Sequence, residues 1–455
     1  MKLFYNVSDK PKFPQILLFA FQQLLAILAA TIVVPVIINN SDAVVAAWGS
    51  TVNLSPSAAL FGAGAGTLIY LLFTKFKSPV FLGSSFAFLG SMAAAMAGAV
   101  TVAAGCLGLI LGAILAGLVY VILALLVKAF GVAWINKLMP AVVIGPTVAI
   151  IGLSLAGNAI GDLSGAGWWG LLVGILTLLA VIVSSVFGKK MIKTIPFVIG
   201  IACGYILATI LTVSQVSALI DFSKFQAIEW VPSFTFLKAF VGFKDFSSAS
   251  QFFAYLGTIA IAYVPVAFVV FAEHIADHKN LSTIIEKDLL TDPGLDKTLL
   301  GDGVGSMVGA VFGGCPNTTY GESIGCVAIS GNASVITIVA TSVFAMIASF
   351  IGPFATFLST IPSCVMGGVC IALYGFIAVS GLKMLQGVDL GDNRNLFVVS
   401  VILISGVGGL ALTIGQVHLT TIACSLILGI IVNLICSIKK EPQSNDLEEQ
   451  PSEEE

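Results

Sequence analysis

Apolar segments of about 20 residues follow one another along almost the whole chain, with short polar connections between them. A helix that crosses the hydrocarbon layer of a bilayer needs roughly 20 apolar residues. Backbone polar groups find no water in that layer, so each crossing segment must satisfy its own hydrogen bonds as a helix. The pattern therefore predicts an all-α membrane protein with fourteen transmembrane segments. These are residues 14–38, 57–74, 79–98, 100–127, 139–157, 167–187, 195–215, 252–276, 298–313, 318–330, 333–352, 360–381, 395–414 and 417–437.

The scarcity of charge supports this prediction. Of the 455 residues, 58% are hydrophobic and only 9% are charged, whereas a soluble domain has about 25% charged residues. So few charges cannot cover a surface that faces water, so the expected surroundings are a lipid bilayer. The net charge is −3 and the chain has no basic tract, so we expect no nucleic-acid partner.

The positions of the basic residues predict the orientation. If the amino terminus is cytoplasmic and the segments alternate, the cytoplasmic connections hold 17 of the 20 lysine and arginine residues. The other side holds three lysines, all in the long linker at 216–251. An excess of basic residues in cytoplasmic loops is typical of membrane proteins. Both termini are therefore expected in the cytoplasm: residues 1–13, and an acidic, disordered tail at 438–455.

Matching motifs in the two halves indicate an internal repeat. Val34-Pro35-Val36 in the first segment corresponds to Val264-Pro265-Val266 in the eighth. The pattern P-x-x-V-x-G begins at Pro140 in the fifth segment and at Pro362 in the twelfth. Seven crossings per half is an odd number, so the second half must run upside down relative to the first. Inverted repeats of this kind are common in secondary transporters.

The third and tenth segments are poor continuous helices. One contains Gly83-Ser84-Ser85-Phe86, and the other contains Pro316-Asn317-Thr318-Thr319-Tyr320-Gly321-Glu322. Glycine, proline and β-branched residues disfavour an unbroken helix. We expect a short extended stretch in each, followed by a half-helix whose free N–H groups face a substrate site near the membrane midplane.

Three carboxylates mark that site. Glu273 and Asp277 lie four residues apart near the end of the eighth segment, on one helical face. Glu322 lies in the tenth segment. Ionisable residues within the membrane are costly and usually functional. A second interpretation of Asp277 and its neighbour His278 is that they lie at the cytoplasmic end of the membrane segment and have no role in the site.

Two acids beside half-helix amides suit a neutral planar heterocycle such as uracil. Its two N–H groups need acceptors and its two carbonyls need donors. Glu273 and Glu322 supply the acceptors, and Phe86 or Tyr320 supplies an aromatic ring to pack on the base. Burial favours the protonated form of a carboxyl group, so one of the acids is a candidate carrier of a coupling proton.

The same residues resemble the nucleobase–ascorbate transporter family, also called nucleobase–cation symporter family 2, in its uracil permease branch. The resemblance rests on the tenth-segment motif, Gly83 to Phe88, Ala272-Glu273-His274, Lys287 to Leu290 and Val365 to Val369. It extends over roughly residues 10–440.

The resemblance implies a proton-coupled symporter that imports uracil, with no cofactor or metal and H⁺ as the coupling ion. It implies a homodimer in the plasma membrane, in which a core domain moves against a gate domain. The core would comprise residues 14–128 and 252–352, and the gate residues 129–215 and 353–437.

Site residues also follow from the resemblance. Glu273 and Glu322 would bind the base, and Glu273 and Asp277 would couple the proton. Backbone amides of Phe86, Tyr320 and Gly321 would donate to its carbonyls. Tyr374 would line the gate side.

Three positions depart from the family pattern. Asp277 stands where some relatives have histidine, Gln23 where many have histidine, and Ser323 where uracil permeases often have asparagine.

Other functions remain open at this stage. A xanthine or purine permease would have a larger pocket with a different polar set. An anion transporter or channel on the same scaffold is disfavoured by two acids in the site, because like charges repel. An enzyme is disfavoured because we find no metal-spaced histidine cluster, phosphate-binding glycine loop or nucleophile–base pair.

Overall fold

The structure is a computed structural model that describes residues 3–131, 134, 138–189, 191–226, 228, 230–414 and 417–438. The predicted tail, apart from its first residue, lies outside the described residues. The described elements are α1 (Phe13–Asn40), α2 (Asp42–Trp48), α3 (Pro56–Phe73), β1 (Leu82–Ser84), α4 (Leu89–Ala97), α5 (Val102–Phe130), α6 (Ala141–Ser154), α7 (Ala156–Ser164), α8 (Gly167–Phe187), α9 (Met191–Thr194), α10 (Pro196–Val213), α11 (Thr235–Gly242), α12 (Ala249–Ile285), α13 (Leu295–Gly313), β2 (Asn317–Thr319), α14 (Gly321–Ser330), α15 (Val335–Ala348), α16 (Gly352–Ser359), α17 (Ser363–Lys383), α18 (Asn393–Val407), β3 (Leu412–Ile414), β4 (Val417–Leu419) and α19 (Thr421–Ile438).

The described helices confirm a mostly helical membrane protein. Eight spans are long and apolar enough to cross a bilayer, and the bent pair α15 and α16 makes a ninth; α6 with α7 forms one of the eight. Three shorter apolar helices, at residues 86–97, 393–407 and 421–437, accompany them. Many large apolar side chains are exposed, such as Trp168 and Phe187 on α8. In a bilayer these side chains face lipid.

The helices pack in two groups. In one group, α13 packs against α3 and α5, α12 packs against α5, and α15 packs against α1 and α3. In the other, α17 packs against α6 and α8, α10 packs against α8, and α18 packs against α6 and α19. The first group carries both strands β1 and β2, so it holds the irregular backbone of the protein's interior.

Glycines allow α3 and α13 to approach closely. A Cβ atom added to Gly62 would lie 2.5 Å from the Gly309 carbonyl oxygen, and one added to Gly66 would lie 2.5 Å from that of Gly305. Small residues at such contacts are how membrane helices gain van der Waals packing in the absence of a hydrophobic driving force. This contact places α13 directly behind the strands.

Strands β1 and β2 form a two-stranded antiparallel ribbon inside the helical protein. Gly83 pairs with Thr318 at its centre. Pro316, which cannot donate a backbone hydrogen bond, precedes β2, and β-branched threonines favour the extended conformation that follows. The ribbon lies where the sequence analysis expects extended stretches, and each strand leads into a half-helix, α4 or α14.

Several boundaries differ from the expectations. Helix α12 continues to Ile285, beyond the expected end at residue 276. The predicted crossings at 395–414 and 417–437 are shortened, because strands β3 and β4 form a hairpin between them. Gly409 has a φ of +75°, a left-handed conformation that commonly ends a helix. Hydropathy alone counted the apolar hairpin residues as membrane helix.

The described part of the linker at 216–251 contains regular structure. It contains α11, which packs against α5 and α13. Phe234, just before α11, contacts the rings of Phe61 and Phe312 at 5.1 and 5.5 Å between centroids. The aromatic residues of this linker therefore hold it against the first helix group.

Candidate functional site

A cavity of about 310 Å³ lies between the ribbon and the second group of helices. Its wall on the ribbon side comes from β1, α12, β2 and α14. The opposite wall comes from α6, α8, α10 and α17 and the short helix α9. Small-molecule pockets are typically about 300–1,000 Å³ in volume, so this cavity suits a ligand of one or two rings.

All three carboxylates singled out in the sequence line this cavity. Glu273 and Asp277 reach it from α12, and Glu322 reaches it from the start of α14. Asp277 Oδ2 accepts a hydrogen bond of 2.7 Å from the Thr319 hydroxyl of β2. The fold therefore brings together acids that are about 45 residues apart in sequence, beside the ribbon.

The first turn of α14 lies at the cavity. Gly321 and Glu322 are its first two residues, and both line the cavity. The amide of Tyr320, just before them, donates to the Phe81 carbonyl at 3.2 Å. The expected ligand contact of the Tyr320 amide is therefore not available in this conformation. The reason is that the ribbon extends one residue further through that hydrogen bond.

Aromatic residues close one side of the cavity. Phe86 and Tyr320 both line it. Tyr320 lies across Gly83 and donates its hydroxyl to the Ser84 carbonyl at 2.9 Å. Tyr374 of α17 does not line the cavity in this conformation. Its ring makes an edge-to-face contact with Phe86 at 5.7 Å between centroids. Tyr374 therefore packs behind Phe86, which lines the cavity.

Two of the three departures from the family pattern touch each other. The Gln23 side-chain amide of α1 donates to the Ser323 carbonyl at 3.2 Å and to its hydroxyl. The Ser323 hydroxyl also accepts from the Phe81 backbone amide at 3.0 Å. Gln23 and Ser323 thus join α1, the ribbon and the start of α14 directly beside Glu322.

The cavity extends toward residues that the sequence analysis did not single out. Lys193 of α9, Asn280 of α12 and Ile329 of α14 line it as well. Each lies near a connection that the basic-residue pattern assigns to the cytoplasm. A lysine next to a predicted cytoplasmic loop is ordinary in a sequence, and only the packing of α9 against α14 brings it to this cavity.

Behind the cavity lies a buried polar cluster that the sequence analysis largely missed. His278 is 1% exposed, so it lies in the protein interior and not on an exposed helix end. The helix α12 continues past it and buries it against Tyr70 of α3. Asp302 of α13, which bonds His274, was not singled out. An acid within an apolar, glycine-rich segment is a signal that could have found it.

No group of three or more histidine, cysteine, aspartate or glutamate side chains suited to a metal ion occurs in the described ranges. The cavity itself is lined by carboxylates, hydroxyls, helix-start residues and aromatic rings. This set can bind a small polar ring and a proton.

Comparison with known proteins identifies the family. The Permease family matches residues 14–415. The chain belongs to this family. It is a multi-span membrane permease and not an enzyme, and it is a member of the nucleobase–ascorbate transporter family recognised in the sequence.

Three relatives match this permease over nearly their whole length. The uracil permease of Bacillus caldolyticus is 39% identical, with 98% of each chain covered. The uracil permease of Bacillus subtilis (strain 168) is 36% identical, again with 98% of each chain covered. The uracil permease of Escherichia coli (strain K12) is 33% identical, with 94% of this chain and 93% of the relative covered.

Solved structures share the fold at low sequence identity. The transmembrane domain of the cyanobacterial bicarbonate transporter BicA superposes with a TM-score of 0.57 at 15% identity, covering 95% of this chain and 100% of that one. The murine anion transporter Slc26a9 in its inward-facing state superposes with a TM-score of 0.66 at 13% identity, covering 94% of this chain and 69% of that one. The permease therefore has a transporter fold.

Proposed function

We propose that this permease imports uracil together with protons. The observation that carries the proposal is the cavity in which Glu273 and Glu322 meet the amino-terminal turn of α14. The names of the relatives, which are uracil permeases over nearly the full chain, agree with that chemistry.

The proposed pose follows from donor and acceptor matching. Uracil has two N–H donors and two carbonyl acceptors. Carboxylates of Glu273 and Glu322 accept from the N–H groups, and hydrogen bonds to ionised acceptors are the stronger kind. The backbone N–H groups of Gly321 and Glu322 donate to a carbonyl, aided by the positive end of the helix dipole. Phe86 packs on the ring.

The coupling proton is proposed to bind within the carboxylate group of the cavity. Glu273, Asp277 and Glu322 line one cavity, where three ionised carboxylates would repel one another. Protonating one of them reduces that repulsion. Glu273 and Asp277, on one face of α12, are the proposed carriers.

The topology we propose has fourteen crossings arranged as two inverted repeats of seven. Within the described residues, fourteen helical units support it, if six units beside the eight apolar spans, α13 and five short or broken ones, count as crossings. These six units are α4, α13, α14, α15 with α16, α18 and α19. The two groups of packed helices support a core domain that carries the ribbon and a gate domain that faces it. We also propose a homodimer in the plasma membrane with both termini in the cytoplasm.

The conformation is proposed to be inward-facing. Lys193 and Asn280 line the same cavity as Glu273, and the basic-residue pattern places their ends of the helices on the cytoplasmic side. A cavity that reaches from the carboxylates to these residues would release a substrate into the cell.

Uptake of labelled uracil into proteoliposomes tests the proposal. An inward proton gradient should raise uptake, and an uncoupler should abolish the rise. Uptake that an uncoupler leaves unchanged would refute the coupling but not the substrate. An excess of unlabelled xanthine should compete poorly, since effective competition would favour a purine permease.

Glu322→Ala tests the place of the site. The variant should lose measurable uracil binding, because the ring N–H loses its charged acceptor in a desolvated site. Asp42→Ala, which removes an exposed acid from α2 outside the cavity, is the matched control and should bind like the wild type. Near-normal affinity of Glu322→Ala in a thermal-shift titration would place the site elsewhere.

A further inference from the structure

Helix α12 carries titratable residues on two faces. Glu273 and Asp277 face the substrate cavity, whereas His274 and His278, each one residue further on, are buried against α3, α5 and α13. His274 is 0% and Asp302 is 1% exposed. Neither His274 nor Asp302 lines the substrate cavity. The proposed uracil site therefore has no use for this pair of residues.

The hydrogen bonds of His274 require at least one shared proton. Its Nδ1 lies 2.7 Å from Asp302 Oδ2, and its Nε2 lies 3.0 Å from the Thr298 hydroxyl. A contact of 2.7 Å between an imidazole nitrogen and a carboxylate oxygen is a hydrogen bond, so a proton lies between them. Either the aspartic acid donates it or the imidazole does.

The Thr298 hydroxyl decides how many protons the pair holds. Its oxygen lies 3.1 Å from the Leu295 carbonyl. When the hydroxyl donates there, His274 Nε2–H donates to Thr298, and the pair holds two protons with no net charge. When the hydroxyl turns to donate to Nε2, the pair holds one proton and one negative charge. The pair can therefore take up or release a proton with the rotation of a single hydroxyl.

The neighbouring histidine has a different set of partners. His278 Nδ1 lies 2.8 Å from the His274 carbonyl and must donate to it, and Nε2 lies 2.7 Å from the Tyr70 hydroxyl. The Tyr70 hydroxyl also donates to the Ser78 hydroxyl at 2.7 Å. The rings of His274 and His278 are 4.0 Å apart between centroids. Two imidazolium rings at this separation would repel each other, so at most one of the two rings is charged. His274 is the ring that bonds a carboxylate, so the exchangeable proton is assigned to His274 and Asp302.

A small cavity completes the site on the side of Asp302. Asp302 Oδ1 and the Tyr120 hydroxyl are buried and have no hydrogen-bond partner within the part of the chain that the structure describes. Both line a cavity of about 10 Å³, together with Ser306 and Asn317. A cavity of about 10–15 Å³ holds one water molecule when polar groups line it. One water there would bond the free oxygen of Asp302.

The charges around the pair link it to the substrate cavity. Tyr120 of α5 and His278 of α12 face it directly, and Tyr70 of α3 bonds His278. Glu273 and Asp277 lie on the same helix as His274, one residue before it and three residues after it. Glu322 of α14 lines the substrate cavity together with these two acids. A change in charge at the pair is therefore felt by the groups that bind the substrate.

We propose that His274 and Asp302, completed by one water, form a second proton-binding site behind the substrate cavity that exchanges a proton during transport. The role in transport rests on the proposed function. The existence of an exchangeable proton does not, and the two are tested separately.

The first experiment observes the proton. The chain has only three histidines, so ¹⁵N-histidine labelling of the purified permease yields few ring signals, and the signals that His274→Gln and His278→Gln remove assign two of them. We expect the His274 ring nitrogens to change protonation with pH or on addition of uracil, while His278 stays neutral. A His274 ring that keeps one neutral tautomer throughout the titration, with and without uracil, would overturn the proposal.

The second experiment observes the consequence for transport. His274→Gln should retain uracil affinity within about threefold, because the residue lies outside the cavity. It should also flatten the pH dependence of uptake and lower the number of protons carried per uracil. His278→Gln is the matched control from the same stack and should keep the wild-type pH profile. Asp302→Asn should flatten the profile as His274→Gln does.

The outcomes separate the two claims. If the wild type neither binds nor transports uracil, the proposed function fails, and the ¹⁵N titration still decides whether the proton site exists. If the wild type transports uracil with protons and His274→Gln shows an unchanged pH profile and proton ratio, the second site has no role in transport and the inference fails.

Discussion

Gly83→Ala is the change whose effect the structure specifies most directly. Gly83 lies at the centre of the ribbon, and the ring of Tyr320 lies across it. A Cβ atom at this position would be 2.3 Å from two ring carbons of Tyr320 and 2.8 Å from its hydroxyl oxygen. Ordinary van der Waals contact begins at 3.4 Å, so the ring would have to move by about 1 Å.

The energetic cost follows from two terms. Forcing an extra methyl group into a packed interior costs about 1–3 kcal/mol. Moving Tyr320 also endangers its hydrogen bond to the Ser84 carbonyl, which is worth about 0.5–1.5 kcal/mol. The total is about 1.5–4.5 kcal/mol. Because Tyr320 directly precedes Gly321, we expect part of this cost to appear as lost uracil affinity of at least tenfold, or about 1.4 kcal/mol.

Thermal unfolding and calorimetric titration with uracil measure the two parts. Gly257→Ala is the matched control: Gly257 is in the interior of α12, and an added Cβ atom there meets nothing within 4 Å. It should leave affinity unchanged and stabilise the helix by about 0.5–1 kcal/mol. If Gly83→Ala has the same melting temperature and the same uracil affinity as the wild type, Tyr320 and the ribbon do not position the half-helix.

Two further predictions concern single contacts. Thr319→Val removes the hydroxyl that donates to Asp277. The loss of about 0.5–1.5 kcal/mol should lower uracil uptake about two- to tenfold, and Thr319→Ser, which keeps a hydroxyl, should restore uptake. Equal uptake in the two variants would show that the contact is dispensable. At the surface, the hydrogen bond and charge of Lys77 lower the pKa of Asp292. A lowered folded-state pKa adds stability above the unfolded value of about 3.9, and this stability disappears as the pH falls through the folded value. Lys77→Met should therefore lower the melting temperature slightly at neutral pH and low salt and leave it unchanged in acid. A difference in melting temperature that persists in acid would contradict a stabilising Lys77–Asp292 ion pair. Because both side chains are exposed, the difference should also become smaller with added salt.

The sequence by itself determined the membrane class and the three carboxylates that line the cavity. Hydropathy is enough for the class, because a bilayer permits only helices or closed barrels to span it. Charge is enough to mark these acids, because Glu273 and Glu322 lie within apolar segments and such residues are rarely kept without a use. Pro316 and Gly83 likewise marked the interruptions where the ribbon lies.

Only the tertiary structure decided which side each residue faces and what it touches. His278 and Asp302 look like a boundary residue and an unremarkable acid until α12 and α13 pack and bury them together. Tyr320 loses its free amide because the ribbon pairs it with Phe81, which is more than 200 residues away in sequence. Hydrogen bonds and burial depend on distances between segments, and hydropathy and spacing along one chain contain no such distances.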